Sequence, residues 1–235
     1  MFVLVHGAYH GGWCWQALIA CLKARGHDAV APDLPGHAFA DGWIGQQEMS
    51  NYINSIVDIV DGMETPPILV GHSMSGAVVA GVAELRPEKL AKVIFLAAYI
   101  PADGECIADV VKTDPASFVE AGKTDVGGVT AITLKAGVLG DAFYNDATPA
   151  QLAWVEDRIQ LHAARTFRAP LSLSRANFGR VPKAAIVCTH DRAISVGHER
   201  WMAERAGCDP IIELNSGHSP FVTAPEALAD VLLGL

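Results

Sequence analysis

Residues 67–77, Pro-Ile-Leu-Val-Gly-His-Ser-Met-Ser-Gly-Ala, constrain this chain more than any other stretch. Ile68, Leu69 and Val70 form a short apolar run suited to a buried strand. Ala77-Val78-Val79-Ala80-Gly81-Val82-Ala83 follows within a few residues and reads as a tightly packed helix. A serine pinned between the two, Ser73, has its hydroxyl pushed out at the strand end on a sharp turn. Such a turn has no room for bulk two residues to either side, and Gly71 and Ser75 meet that need. The strict spacing would place glycine at 75, whereas here the second glycine is Gly76. Serine is small, so the turn survives the exchange. The competing explanation is that Ser73 merely caps the helix after it.

The rest of the chain alternates strand and helix around this turn. Strands are expected at 2–5, 29–31, 68–70, 90–100, 184–188 and 210–214, and helices at 13–23, 49–60, 77–86, 199–206 and 224–233. Alternation at this spacing implies βαβ units, a mostly parallel sheet and helices on both faces. Ligands bind such sheets outside the carboxyl ends of the strands. From 101 to 178 the rhythm changes. Gly, Ala, Asp and Thr become frequent, no strand stands out, and Thr148-Pro149 reads as the cap of a helix over 150–164. The expected organisation is a core of 1–100 and 179–235 with an inserted helical cap at 101–178; a small second domain with no role at the site is the alternative.

Composition limits the function classes. With 51% hydrophobic and 18% charged residues in 235, the chain can bury a large core. A formal charge of -9 and no basic run argue against nucleic acid or an anionic membrane as partner. No apolar stretch is long enough to span a bilayer, and the opening Met-Phe-Val-Leu-Val-His-Gly has no signal-peptide character. Cys14, Cys21, Cys106, Cys188 and Cys208 are scattered and show no metal-ligand spacing. The expectation is a cytoplasmic protein with reduced thiols and no metal.

A serine hydroxyl needs a base within hydrogen-bond reach, and that base needs an orienting acid. Ser73, Asp191 and His218 each follow an expected strand, so all three fall on one sheet edge, in a chain order known for serine enzymes on parallel sheets. His218 is the candidate base and Asp191 the acid, with Asp103 after the fourth strand its rival. The oxyanion formed on attack needs backbone donors. The amide of Met74 is one candidate; Ala8 is the other, with Gly7 giving it room. His72, His6 and His10 read as packing or structural residues, and His190 as exposed.

With these residues in hand, the chain resembles the α/β-hydrolase superfamily over essentially its whole length. Residues 2–15 are similar to the opening of the plant methylesterase and hydroxynitrile lyase branch and its bacterial carboxylesterase relatives. Ala31-Pro32-Asp33-Leu34-Pro35-Gly36-His37, the Ser73 turn and Cys188-Thr189-His190-Asp191-Arg192-Ala193-Ile194 support the same placement. The sequence starts at the first parallel strand, so the resemblance predicts a core without the antiparallel hairpin that precedes it in many relatives. It implies a hydrolase of small esters with a helical cap and no cofactor. Lyases of this branch typically carry Thr at the place of Gly7 and Lys at the place of Ser219, and both departures count against cyanohydrin cleavage.

The expected function is a serine carboxylesterase acting on small to medium esters with an apolar part. Gly7, Tyr9, Met74, Phe143, Trp154 and Phe178 are candidates to touch the substrate, with core packing as the alternative for the larger side chains. Hydroxynitrile lyase chemistry on the same triad is a second reading. A small-ligand binding protein that keeps the fold is a third. No oligomeric state follows from the sequence.

Overall fold

A computed structural model describes residues 1–38, 44–117, 121–126 and 129–235. In chain order, β1 (Phe2–Val5) leads through α1 (Gln16–Ala24) to β2 (Ala29–Val30), α2 (Met49–Asp61), β3 (Ile68–His72), α3 (Ser75–Leu85) and β4 (Lys92–Leu96). The next stretch holds α4 (Ile107–Val111), β5 (Ala121–Val126), β6 (Val129–Leu134), α5 (Pro149–Glu156) and β7 (His162–Ala163). The chain then returns through β8 (Lys183–Cys188), α6 (Val196–Arg205), β9 (Ile211–Leu214), α7 (Pro220–Thr223) and α8 (Pro225–Gly234).

Six strands form one sheet in the order β2-β1-β3-β4-β8-β9, and every pairing in it is parallel. Val3, Leu4, Val5, Leu69, Val70, Val93, Ile94 and Leu96 are completely buried, as strands covered on both faces require. The chain runs from β1 outward to β2, then crosses back to β3 on the other side. With right-handed crossovers this reversal sends α1 to one face and α2 and α3 to the other. The packing agrees, with α1 against α8 and α2 against α3. The reversal also opens a crevice outside the carboxyl ends of β1 and β3, where parallel sheets hold their ligands. Among the described residues no helix is long and apolar enough to cross a membrane.

Close approach between layers depends on missing side chains. A Cβ at Gly81 would lie 2.4 Å from Ile53 of α2, and one at Gly76 would lie 2.1 Å from the carbonyl oxygen of Tyr99. The first contact is to a side chain and the second to backbone, so only the first could relax by a change of rotamer.

Residues 101–178 differ from the sequence expectation. Helices are present, but so is a three-stranded antiparallel sheet, β5-β6-β7. Val126 pairs with Val129, which leaves two residues between the strands, and the sequence there is Gly-Gly. A Gly-Gly pair between runs of Thr and Val is a hairpin signal; the high Gly and Thr content had read as irregular. The helix expected over 150–164 stops at Glu156. Beyond it the Gln160 N–H donates to the Tyr9 carbonyl at 2.9 Å and its side chain accepts from Ala38 N, so tertiary bonds overrule helix propensity.

The segment leaves and rejoins the core side by side. Gly104 N donates to Leu171 O at 2.8 Å and Leu171 N to Glu105 O at 2.9 Å. Glu84 of α3 fastens the return: its carboxylate accepts from Ser174 N, Ser174 Oγ, Asn177 Nδ2 and Phe178 N at 2.7–3.2 Å.

The Gly76 contact gives a direct test of α3 packing. Gly76→Ala is expected to cost about 3 kcal/mol or more, whereas Gly197→Ala, whose Cβ meets nothing within 4 Å, leaves stability nearly unchanged. Urea unfolding midpoints of the two variants decide it.

Candidate active site

Ser73 occupies the turn between β3 and α3 with φ of +53°. A serine rarely adopts this left-handed conformation, and the surrounding backbone enforces it. Ser73 N donates to Leu96 O at 3.2 Å, and Ser73 O accepts from Gly76 N and Tyr99 N, each at 3.0 Å. A Cβ at Gly71 would sit 2.6 Å from Ser75 O and 2.7 Å from Val79, so the glycine before the serine is obligatory. Position 75 tolerates its side chain for a specific reason. The Ser75 hydroxyl donates to the carbonyl of His6, tying α3 to the end of β1.

Val5 is in register with Gly71, which brings Gly7 level with Ser73. A Cβ on Gly7 would lie 3.0 Å from Ser73 Cβ and 2.8 Å from His72 Nδ1. Ala8 and Met74 are buried. Among the described residues, neither the Ala8 nor the Met74 N–H donates to a protein acceptor.

Asp191 follows β8 and His218 follows β9. Asp191 Oδ2 is 2.6 Å from His218 Nδ1, and both side chains are sealed from solvent. The other oxygen, Oδ1, accepts from Ala193 N at 2.7 Å and Ile194 N at 2.9 Å, so the carboxylate is fixed at both ends. His218 Nε2 is buried and has no hydrogen-bond partner among the described residues. His72 supports this loop: its Nε2 donates to the His218 carbonyl at 3.0 Å, and the two rings lie 4.6 Å apart. Asp103, the rival acid, is exposed and binds Leu173 N. His190 is exposed, as its sequence position suggested.

The candidate substrate contacts divide. Phe143 stands edge-on to His218 with ring centroids 5.1 Å apart, and Tyr9 packs on Phe143 at 6.0 Å. Trp154 lies a layer further out, packed on Trp13 at 5.2 Å and under Arg158 rather than on His218. Phe178 is a correction. Its ring packs under Lys183 Nζ at the amino end of β8, the edge opposite Ser73, and its N–H binds Glu84. It was a candidate as an aromatic residue of the expected cap at 101–178, and the core-packing alternative describes where it lies.

A hydroxyl on a strained turn, a buried Asp–His pair and two free N–H groups are the kinds of group that acyl transfer uses. A family model described as the alpha/beta hydrolase family matches residues 2–231. The chain belongs to the alpha/beta hydrolase family. Among its relatives is a pyrethroid hydrolase of Sphingobium wenxiniae, 29% identical over 98% of this chain and 85% of that protein. An Arabidopsis thaliana protein provisionally named methylesterase 11, chloroplastic, is 30% identical over 99% of this chain, which spans 63% of that longer protein. The fold matches the crystal structure of polyneuridine aldehyde esterase with a TM-score of 0.89 at 20% identity, covering 99% and 97% of the two chains.

Several residues of this alpha/beta hydrolase that support the site escaped the sequence reading. Asp146 accepts from Gly217 N at 2.6 Å and from Ser216 Oγ and Thr223 Oγ1 at 3.1 Å, clamping the His218 loop. Its neighbour Asn145 donates to His190 O at 3.1 Å, on the Asp191 loop. Both sit in a polar run that reads as an ordinary helix lead-in. Glu199 of α6 is buried beside Asp191 and accepts from Cys188 N at 3.3 Å. Burial, and next the Asp191 carboxylate, push its carboxyl well above the usual range. The sequence marks Glu199 only as the start of the helix expected at 199–206.

Five histidines near the site, His6, His10, His37, His72 and His162, are completely buried. Burial is the largest cause in each case and lowers their pKa, to about 4 for His10 and His37. Unfolding restores the ordinary value near 6.5, so below that pH the unfolded chain binds more protons. The stability contribution is complete above pH 6.5 and is lost as pH falls toward 4. For His10 and His37 the loss reaches about 3 kcal/mol each at pH 4. Urea midpoints are expected to fall steeply between pH 6.5 and 4; a midpoint constant over that window would contradict burial of neutral rings.

Proposed function

We propose that this chain is a carboxylic ester hydrolase using Ser73 as nucleophile, His218 as general base and Asp191 as its orienting acid. The observation that carries this reading is the 2.6 Å Asp191–His218 contact, bound through the His218 carbonyl to His72, the residue before a serine held at positive φ. Ser73 Oγ attacks the ester carbonyl carbon and its proton passes to His218 Nε2. The Ala8 and Met74 N–H groups receive the oxyanion. Collapse expels the alcohol, which takes the proton from His218. Water then attacks the acyl-enzyme, giving its proton to His218, and the acid leaves as Ser73 is reprotonated. Asp191 holds the Nδ1–H tautomer that leaves Nε2 free to accept.

Residues 101–178 serve in this reading as a cap, supported by Phe143 and Asn145 reaching the His218 and Asp191 loops. The aromatic surface of Phe143 and Tyr9 suits small to medium esters with an apolar part. Lyase chemistry is disfavoured. A side chain at position 7 would collide with His72, and Ser219 is fully buried where a cation would be needed. Five free, buried cysteines support a reducing compartment such as the cytoplasm.

Ser73→Ala is expected to lower turnover of a p-nitrophenyl ester by about ten thousand- to a million-fold and to abolish labelling by a fluorophosphonate. Unchanged hydrolysis by that variant would sink the triad. Failure of the probe to label the native protein would favour a ligand-binding role, and cyanide release from mandelonitrile would favour the lyase.

A further inference from the structure

Three successive carbonyls after β1 are each held by a buried side chain. The Ser75 hydroxyl donates to His6 O. His6 Nδ1 lies 2.9 Å from Gly7 O, and His10 Nδ1 lies 2.7 Å from Ala8 O. The second bond concerns the peptide nearest Ser73. His6 Nε2 is 3.0 Å from Leu34 N–H, a group that can only donate. Nε2 is therefore the acceptor, and Nδ1 carries the ring proton and donates to Gly7 O. Burial keeps the ring neutral by lowering its pKa well below the ordinary value.

Among the described residues the only cis peptide is Asp209–Pro210, so the Gly7–Ala8 peptide is trans. Its C=O and N–H point in opposite directions. With the carbonyl drawn back to His6, the Ala8 N–H faces away from His6, in a loop packed against Ser73 Cβ. That N–H has no protein acceptor among the described residues. The chain just beyond needs holding as well, since Tyr9 has φ of +70°.

We propose that His6 is a positioning residue of the oxyanion hole: its Nδ1–H fixes and polarises the Gly7–Ala8 peptide so that the Ala8 N–H is presented to the oxyanion on the carbonyl attacked by Ser73. A hydrogen bond accepted at a peptide oxygen strengthens the donor at the same peptide's nitrogen. The chain Leu34 N–H, His6 imidazole, Gly7–Ala8 peptide acts as one relay of polarisation. No proton moves along it. The inference rests on the serine-hydrolase reading above.

Two substitutions separate positioning from mere packing. Glutamine at position 6 reaches the place of Nε2 and serves Leu34, but leaves Gly7 O without its donor. Asparagine reaches the place of Nδ1 and serves Gly7 O, but leaves Leu34 N–H unpaired. His6→Gln is expected to lose about 10- to 100-fold in kcat, part of what deletion of an oxyanion donor costs, with KM within about twofold of wild type. His6→Asn is expected to stay within about fivefold of wild-type kcat, well above His6→Gln. Equal losses in both folded variants, or none in His6→Gln, would overturn the role. Should neither variant fold, nitrogen-15 NMR of His6 in the native protein at pH 7 decides. The Nδ1–H tautomer is expected, and the Nε2–H tautomer overturns the inference. Ser73→Ala run in parallel keeps the two claims apart. Full turnover there removes the serine nucleophile itself, whereas lost turnover there with full turnover in His6→Gln removes only the role of His6.

Discussion

The site depends on backbone packed so closely that side chains are excluded. Gly7, Gly71 and Gly76 surround Ser73, and a Cβ on any of them would come within 3.0 Å of a neighbouring atom. This crowding holds Ser73 at positive φ and keeps the β1 loop against it. The left-handed turn is costly alone; two backbone hydrogen bonds to β4 and its following segment, and one from α3, offset it. A rigid sheet therefore supplies the geometry before any substrate arrives, as catalysis by preorganised dipoles requires.

Around that centre the polar groups are paired in sequence-distant sets. Asp191 is fixed by its own loop on one oxygen and by His218 on the other. His218 is steadied by His72 from β3 and, through its loop, by Asp146. Glu199 lies buried behind Asp191, its carboxyl raised well above the usual range by burial and then by the Asp191 carboxylate.

Much of this was legible in the sequence. Strand–helix alternation gave the parallel sheet, and residues just past strand ends gave Ser73, Asp191 and His218, because chain order and strand direction together restrict where such loops can open. The regular hydrophobic periods carried that information. What stayed hidden lacked any period. Asp146 and Asn145 act across the chain from a polar turn, and no local pattern marks which loop they meet. Phe178 was a candidate only as an aromatic residue of the expected cap, and composition does not say which end of β8 such a residue packs against. The sheet β5-β6-β7 was obscured by a composition rich in Gly and Thr, although its Gly-Gly connection was in plain view. His6 looked structural because its partners are backbone atoms of Gly7 and Leu34, and a role exercised through a peptide bond leaves no motif.

The Asp146 clamp bears on how members of this family can diverge. Residues 101–178 are where substrate preference would be expected to vary, which makes the segment an obvious target for exchange between relatives. Yet Asp146 within it holds Gly217, Ser216 and Thr223, and Asn145 holds His190. A transplanted segment without this pair would leave the His218 loop held only from the core side, by His72 and Asp191. Exchange of this segment therefore also exchanges four hydrogen bonds to the His218 and Asp191 loops, unless residues 145–146 stay with the core.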